Sequence, residues 1–218
     1  MEKAVPLMEL IDGKLGASAT LRNEPVQARS TARLTALLDA AAAAIDELGY
    51  ERLTTAMVAE RAGASIGTVY RYFPDRIAVL QALAARNLER VLVGIHAAVR
   101  DSHNATWREA VLACFDVYVD AFRLEPGFAS LRGGDVLDLR PAVGTATVNS
   151  HLAEVTATAL AQRFGTDASV EAVFVFENAF EVQDALIARA FARSARGDSA
   201  FLERGRSLVL SILGERLS

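Results

Sequence analysis

The sequence predicts an all-α fold, with a small three-helix segment near the N-terminus and a larger helical body behind it. Two observations carry that expectation. Apolar residues recur at spacings of three, four and seven along most of the 218-residue chain, the period of a helix with one buried stripe. Alanine, the strongest helix former, occurs in runs such as Ala40 to Ala44, and no stretch shows a competing strand signal. With 52% hydrophobic residues, the chain can bury a core as one large domain or as a small domain joined to a bigger one.

Residues 1 to 28 mix Pro6, Gly13, Gly16, Pro25 and scattered charges without sustained periodicity, and are expected to form a mobile arm. A first helix is expected from about 31 to 48, with Leu34, Leu37, Leu38, Ala41, Ile45 and Leu48 on one stripe and Gly49 as its C-cap. Thr54 or Thr55 suits the N-cap of a second helix, which turns Val58, Ala59 and Ala62 inward and ends at Gly63. Ser65 suits the cap of a third, from Ile66 to Phe73. Pro74 then disfavours helical geometry at Phe73 and favours a new start, with Asp75 well placed near that N-terminus.

The fourth helix follows Ile77, Leu80, Leu83, Leu88, Val91, Leu92, Ile95 and Val99 to about 101, and the pattern breaks at Ser102 to Ala105. An amphipathic segment from about Thr106 to Leu124 is closed by Glu125-Pro126-Gly127. A weakly patterned region with Gly133, Gly134 and Pro141 is expected as a mobile loop before helicity resumes near Val143. The last two helices, about 167 to 195 and 198 to 215, flank Arg196-Gly197-Asp198 and are apolar on more than one side.

The second and third helices have the make-up of a helix-turn-helix, in which one helix crosses the DNA backbone and the next enters the major groove. The close crossing needs a small residue, the turn a glycine, and the second helix a buried apolar residue; Ala59, Gly63 and Val69 supply these in order. With Val69 inward, Thr68, Tyr70, Arg71 and Tyr72 face outward, with the backbone accessible at Gly67. Tyrosine can reach a phosphate or pack on a thymine methyl, and arginine can read guanine or clamp a phosphate. The net charge of −4 excludes a general polycation. DNA affinity must therefore come from placement, helped by Arg22, Arg29 and Arg33.

The run GYERLTTAMVAERAGASIGTVYRYFPDRIAVL, residues 49 to 80, resembles the DNA-binding segment of the tetracycline-repressor (TetR) family of bacterial transcriptional regulators. The likeness is specific over residues 31 to 80 at Ala59, Gly63, Ser65, Gly67, Val69, Tyr70, Tyr72 and Phe73, and architectural elsewhere. It implies a homodimer of all-helical subunits, each with a three-helix DNA-binding head and a C-terminal domain for ligand binding and dimerisation. By that resemblance Thr54, Thr55, Ser65, Ile66, Gly67, Thr68, Tyr70, Arg71, Tyr72 and Arg76 are the expected DNA-binding residues, and Phe73 locks the recognition helix to the core. Arg76 stands where the family usually has lysine, and Ile66 where many relatives carry a polar or basic residue. The implied division is an arm over 1–28, the helix-turn-helix domain over 29–76 and the ligand-binding and dimerisation domain over 77–218.

In the C-terminal body, polar groups among the aromatics can line an apolar cavity for a small-molecule effector. The candidate ligand-binding residues are Trp107, Tyr118, Phe122, Glu177, Phe180 and Glu181, with Asn178 and Asp184 as further polar groups. Acids facing such a cavity would favour a cationic or hydrogen-bond-donating effector. Phe174, Ala185, Phe201, Leu208 and Ile212 give the last two helices surplus apolar surface, which a four-helix dimer interface would cover.

No metal site or cofactor is expected, because His96, His103 and His151 are far apart and Cys114 is the sole cysteine. No ordered serine, histidine and acid suggests an enzyme. Without a secretory pattern or a membrane-spanning run, the expected location is the cytoplasm. The expected function is a ligand-responsive repressor that binds a near-palindromic operator as a dimer and is released by its effector. The alternative is a helical small-molecule-binding protein or enzyme with a vestigial DNA-binding head.

Overall fold

Among residues 24–131 and 147–217, which the computed structural model describes, eight α-helices form and no strand does. The expected loop at Gly133, Gly134 and Pro141 and the first 23 residues of the expected arm lie outside them. Helix α1 spans Glu24–Leu48 and begins before the expected 31, so the end of the arm is helical. Pro25 misleads here: in the first turn of a helix its missing N–H costs nothing. A 3-10 turn, Tyr50–Arg52, leads to α2, Thr55–Arg61, whose N-cap is Thr54 accepting from the Met57 amide. Gly63, at φ 56, turns the chain in the left-handed region. Helix α3, Ile66–Tyr72, is capped by Ser65 accepting from the Thr68 amide.

Helix α4, Arg76–Arg100, takes Asp75 as N-cap, with its carboxylate accepting from the Ala78 amide at 2.8 Å. Pro74 therefore precedes the cap rather than opening the helix, while Phe73 is extended as a residue before proline should be. Helix α5, Trp107–Leu124, starts in a capping box of Thr106 and Glu109. Helices α6, Val148–Phe164, α7, Val170–Arg193, and α8, Ser199–Gly214, complete the body. Asp198 caps α8 and pairs with Arg193, so the Arg196-Gly197-Asp198 run is a helix connection.

Two cores result. The head buries Leu37, Ala41 and Ile45 of α1 against Val58, Val69 and Phe73, and the body buries Phe115, Leu152, Leu160, Phe176 and Ile187. Helix α4 belongs to both, giving Val79, Leu80 and Leu83 to the head and Val91, Ile95 and Val99 to the body. The segment after α5 adds a second tie: Phe128 packs in the body core and Leu131 in the head core. Between them the Gly127 amide donates to the Asp46 carboxylate at 2.9 Å. Gly127 has φ 71, and a Cβ there would lie 2.9 Å from the Ala42 carbonyl oxygen. Only glycine allows that approach.

Gly127→Ala is expected to cost about 2–4 kcal/mol, from left-handed strain and the backbone clash together. Gly165→Ala has the same φ of 71 but open space around the new methyl, and should cost only about 1 kcal/mol. Thermal denaturation of the two variants measures the difference, which belongs to the contact between head and body.

Stability should also fall in acid. Hydrogen bonds from Arg61 hold the Glu47 carboxyl below its ordinary 4.5, and Arg193 holds Asp198 below 3.8. Amide and side-chain hydrogen bonds likewise lower Asp101, Glu109 and Asp167. A depressed folded-state value stabilises above the unfolded value and is lost as pH falls through the folded one. The melting temperature is expected to be level from about pH 7 to 5 and to drop below about pH 4.

Candidate nucleic-acid interface and buried cavity

Helix α3 is anchored on one side and open on the other. Val69 is 0% exposed and Phe73 is buried beside it, whereas Tyr70 is 53% exposed and Ser65, Ile66, Gly67 and Arg71 also lie on the surface. The periodicity forces this, because an inward Val69 leaves its helical neighbours outside. Tyr70 also reaches α2, its hydroxyl oxygen accepting from Thr55 Oγ1 at 3.4 Å. Tyr72 reaches α1, with its hydroxyl 3.2 Å from Ser30 Oγ, while the Arg71 guanidinium lies 5.7 Å from the Tyr72 ring centre. The two tyrosines thus link the third helix to both others.

The fold therefore brings Thr55, Ser65, Ile66, Gly67, Tyr70 and Arg71 into one neighbourhood on α2 and α3. Thr68 is half-buried with its hydroxyl 2.9 Å from Ser65 Oγ, and Thr54 is exposed as the cap of α2. Arg76 is engaged elsewhere: its Nη1 donates to the carbonyls of Glu51 at 2.7 Å and Tyr50 at 3.4 Å, which holds the 3-10 turn to α4.

Between Arg29 and Arg76 there are six basic and six acidic residues. Three of those acids are drawn into internal contacts. Asp39 pairs with Arg86 of α4 at 2.7 Å, Asp46 accepts from Gly127, and Glu47 takes both terminal nitrogens of Arg61. Arg29, Arg33 and Arg71 are exposed. A segment of zero formal charge is in this way unevenly charged at its surface.

The body holds a small cavity of ≈ 20 Å³ between α5, α6, α7 and α8. Val111, Phe176, Phe180 and Leu213 give it apolar walls, and two polar side chains open onto it, Thr156 and Gln183. They are 2% and 5% exposed, and Thr156 Oγ1 and Gln183 Nε2 have no hydrogen-bond partner. Cys114 also lines the cavity, and burial pushes its thiol up to about 12, so it stays protonated.

Of the residues expected around an effector, Phe180 alone lines this cavity. Tyr118 is buried nearby, donating to Asp184 at 3.3 Å and packing on Phe122 and Phe128. Phe122 faces a more open groove with Ala185, Ala188 and Phe191. Trp107 is half-buried beneath the Arg108 guanidinium. Glu177 accepts a hydrogen bond from Ser150, and Glu181 is exposed. The acids do not face the cavity, so the condition for a cationic effector is not met.

Thr156 and Gln183 escaped the sequence reading although a signal existed. Ala172, Phe176, Ala179, Phe180, Gln183, Ile187 and Ala190 form the buried stripe of α7, in which Gln183 is the single polar member. Thr156 interrupts the stripe of α6 in the same way, between Ala153 and Ala157. Of the expected dimer residues, Phe174 is 63% exposed and Ala185 exposed, while Phe201, Leu208 and Ile212 are half-buried.

Residues 37–83 match the family described as bacterial regulatory proteins, tetR family, and residues 105–217 match the tetracyclin repressor-like C-terminal domain. Over 76 residues the chain is 38% identical to the HTH-type transcriptional repressor KstR of Rhodococcus jostii, covering 34% of this chain and 36% of that protein. Over 91 residues it is 33% identical to the nucleoid occlusion factor SlmA of Actinobacillus pleuropneumoniae, covering 42% and 44%. The chain thus spans less than half the length of these curated relatives. A crystal structure of a TetR-family transcriptional regulator from Streptomyces coelicolor superimposes with TM-score 0.72 at 33% identity, covering 85% of this chain and 99% of that one.

Anchor and surface should separate cleanly by mutation. Phe73→Ala is expected to cost about 3–5 kcal/mol of stability, whereas Arg71→Ala should stay within about 0.5 kcal/mol of the parent. Urea denaturation of each variant checks both values.

Proposed function

The chain belongs to the TetR family of bacterial regulatory proteins, and from that premise we propose that it is a ligand-responsive transcriptional repressor, binding a near-palindromic operator as a homodimer. The observation that carries the reading is the open face of α3, with Tyr70 and Arg71 outward on a helix that Val69 and Phe73 fix from behind. In this reading Ser65, Ile66, Gly67, Thr68, Tyr70 and Arg71 enter the major groove, Thr54, Thr55 and Tyr72 meet the flanking backbone, and Arg76 acts from behind by holding the turn before α2. Phosphate contacts set the register and the base edges set the sequence.

Two copies of α3 must reach successive major grooves about 34 Å apart, so the subunit interface decides affinity. Helices α7 and α8 are the proposed interface, through Phe174, Ala185, Phe201, Leu208 and Ile212. An effector in the body acts by moving α4 and the Gly127 contact, which changes the separation of the heads. This reading makes the protein a regulator rather than an enzyme, with no cofactor, working in the cytoplasm. Among the described residues no helix is long and apolar enough to cross a membrane.

Selection of random duplex DNA on the purified dimer, followed by anisotropy titration at two salt concentrations, tests the proposal. An enriched inverted repeat is expected, with log K falling by about 0.9 per phosphate contact for each tenfold rise in salt. Arg71→Ala should weaken binding by about 1–3 kcal/mol without unfolding the protein. A folded, dimeric protein that enriches no sequence would have a vestigial head, and the reading would then pass to small-molecule binding by the body.

A further inference from the structure

The pair of unpartnered polar groups in the body cavity defines an effector chemistry. Thr156 and Gln183 come from different helices, α6 and α7, and both open onto one apolar space. Buried polar atoms are ordinarily satisfied, so Thr156 and Gln183, without a protein partner on a shared cavity, mark the point where an occupant would be hydrogen-bonded. Gln183 Nε2 can only donate, and the Thr156 hydroxyl can donate as well. One acceptor oxygen can take hydrogen bonds from both donors. No charged side chain lines the space: Glu177 is held by Ser150 and Glu181 is at the surface.

We propose that this cavity binds an uncharged, mainly apolar molecule through a carbonyl oxygen that accepts hydrogen bonds from Gln183 Nε2 and the Thr156 hydroxyl. The inference rests on reading the body as the effector domain and adds the class of effector. At ≈ 20 Å³ the cavity has room for about one water. A larger occupant must move α5 away from α6 and α7, the packed pair that carries Thr156 and Gln183, and it shifts the protein toward that open state by its preference for it. The binding group is fixed, and the space around it grows with the ligand.

The test uses four probes of similar shape on the full chain without DNA: acetophenone, its apolar isostere α-methylstyrene, α-methylbenzylammonium and benzoate, each titrated by ligand-observed NMR. Acetophenone is expected to bind saturably and at least about tenfold more tightly than α-methylstyrene, because only the ketone satisfies both donors. Gln183→Leu combined with Thr156→Val should bring the two within roughly threefold, chiefly by weakening the ketone. These changes remove unpaired polar groups, so the double variant should melt no lower than the parent. Glu177→Gln should leave the ketone preference unchanged.

A preference for the ammonium or the carboxylate, an unchanged preference in the double variant, or no saturable binding at low millimolar concentration overturns the inference. DNA is absent from this measurement, so such a failure leaves the operator reading standing. Conversely, a protein that prefers the ketone but enriches no duplex retains the cavity chemistry and loses the DNA reading.

Discussion

Helix α4 runs unbroken from Arg76 to Arg100 and is buried in two cores at once. At 1.5 Å per residue it extends about 37 Å, far enough to link the floor of the head to the middle of the body. Leu80 and Leu83 cannot shift without disturbing Val58 and Val69, and Val91 and Ile95 cannot shift without disturbing Phe115 and Leu152, because close-packed interiors resist small displacements. Packing through α4 thus joins the base of α3 to the body. The Gly127 contact on α1 works in parallel, and Asp39 with Arg86 braces α1 against α4.

The same economy shapes the proposed DNA surface. Several of the head's internal polar contacts serve to place α3: Ser65 caps it, Thr54 caps α2, Arg76 holds the turn before α2, and Tyr70 and Tyr72 reach α2 and α1. Three acids of α1, Asp39, Asp46 and Glu47, are occupied by Arg86, the Gly127 amide and Arg61. An acidic chain can in this way carry an arginine and two tyrosines on one short helix without a basic composition.

Local chemistry was what the sequence displayed most plainly. Caps at Thr54 and Ser65, the turn at Gly63 and the inward Val69 depend on a few neighbouring residues, and their types suffice to place them. The start of α1 was obscured because Pro25 reads as a breaker until its position in the first turn is known. The resemblance names Arg76 as a DNA-binding residue, whereas two carbonyls of a turn about 25 residues earlier take its guanidinium, a long-range contact with no local signature. In the body, charged residues drew attention as pocket groups although α7 turns Glu181 to the surface. The polar residues that do line the cavity sit quietly within apolar stripes, and their meaning depends on α6 meeting α7.

Native-state hydrogen exchange along α4 is the measurement that tests the shared helix most directly. If α4 makes the head and body one mechanical unit, amides near Leu83 and Ile95 should exchange at the same opening free energy, equal to that of global unfolding. Amides from Val79 to Ala84 that instead opened at lower free energy together with α2 and α3, while Val91 to Val99 stayed protected, would show an independently opening head. The proposed coupling of the body cavity to the head through α4 would then be contradicted.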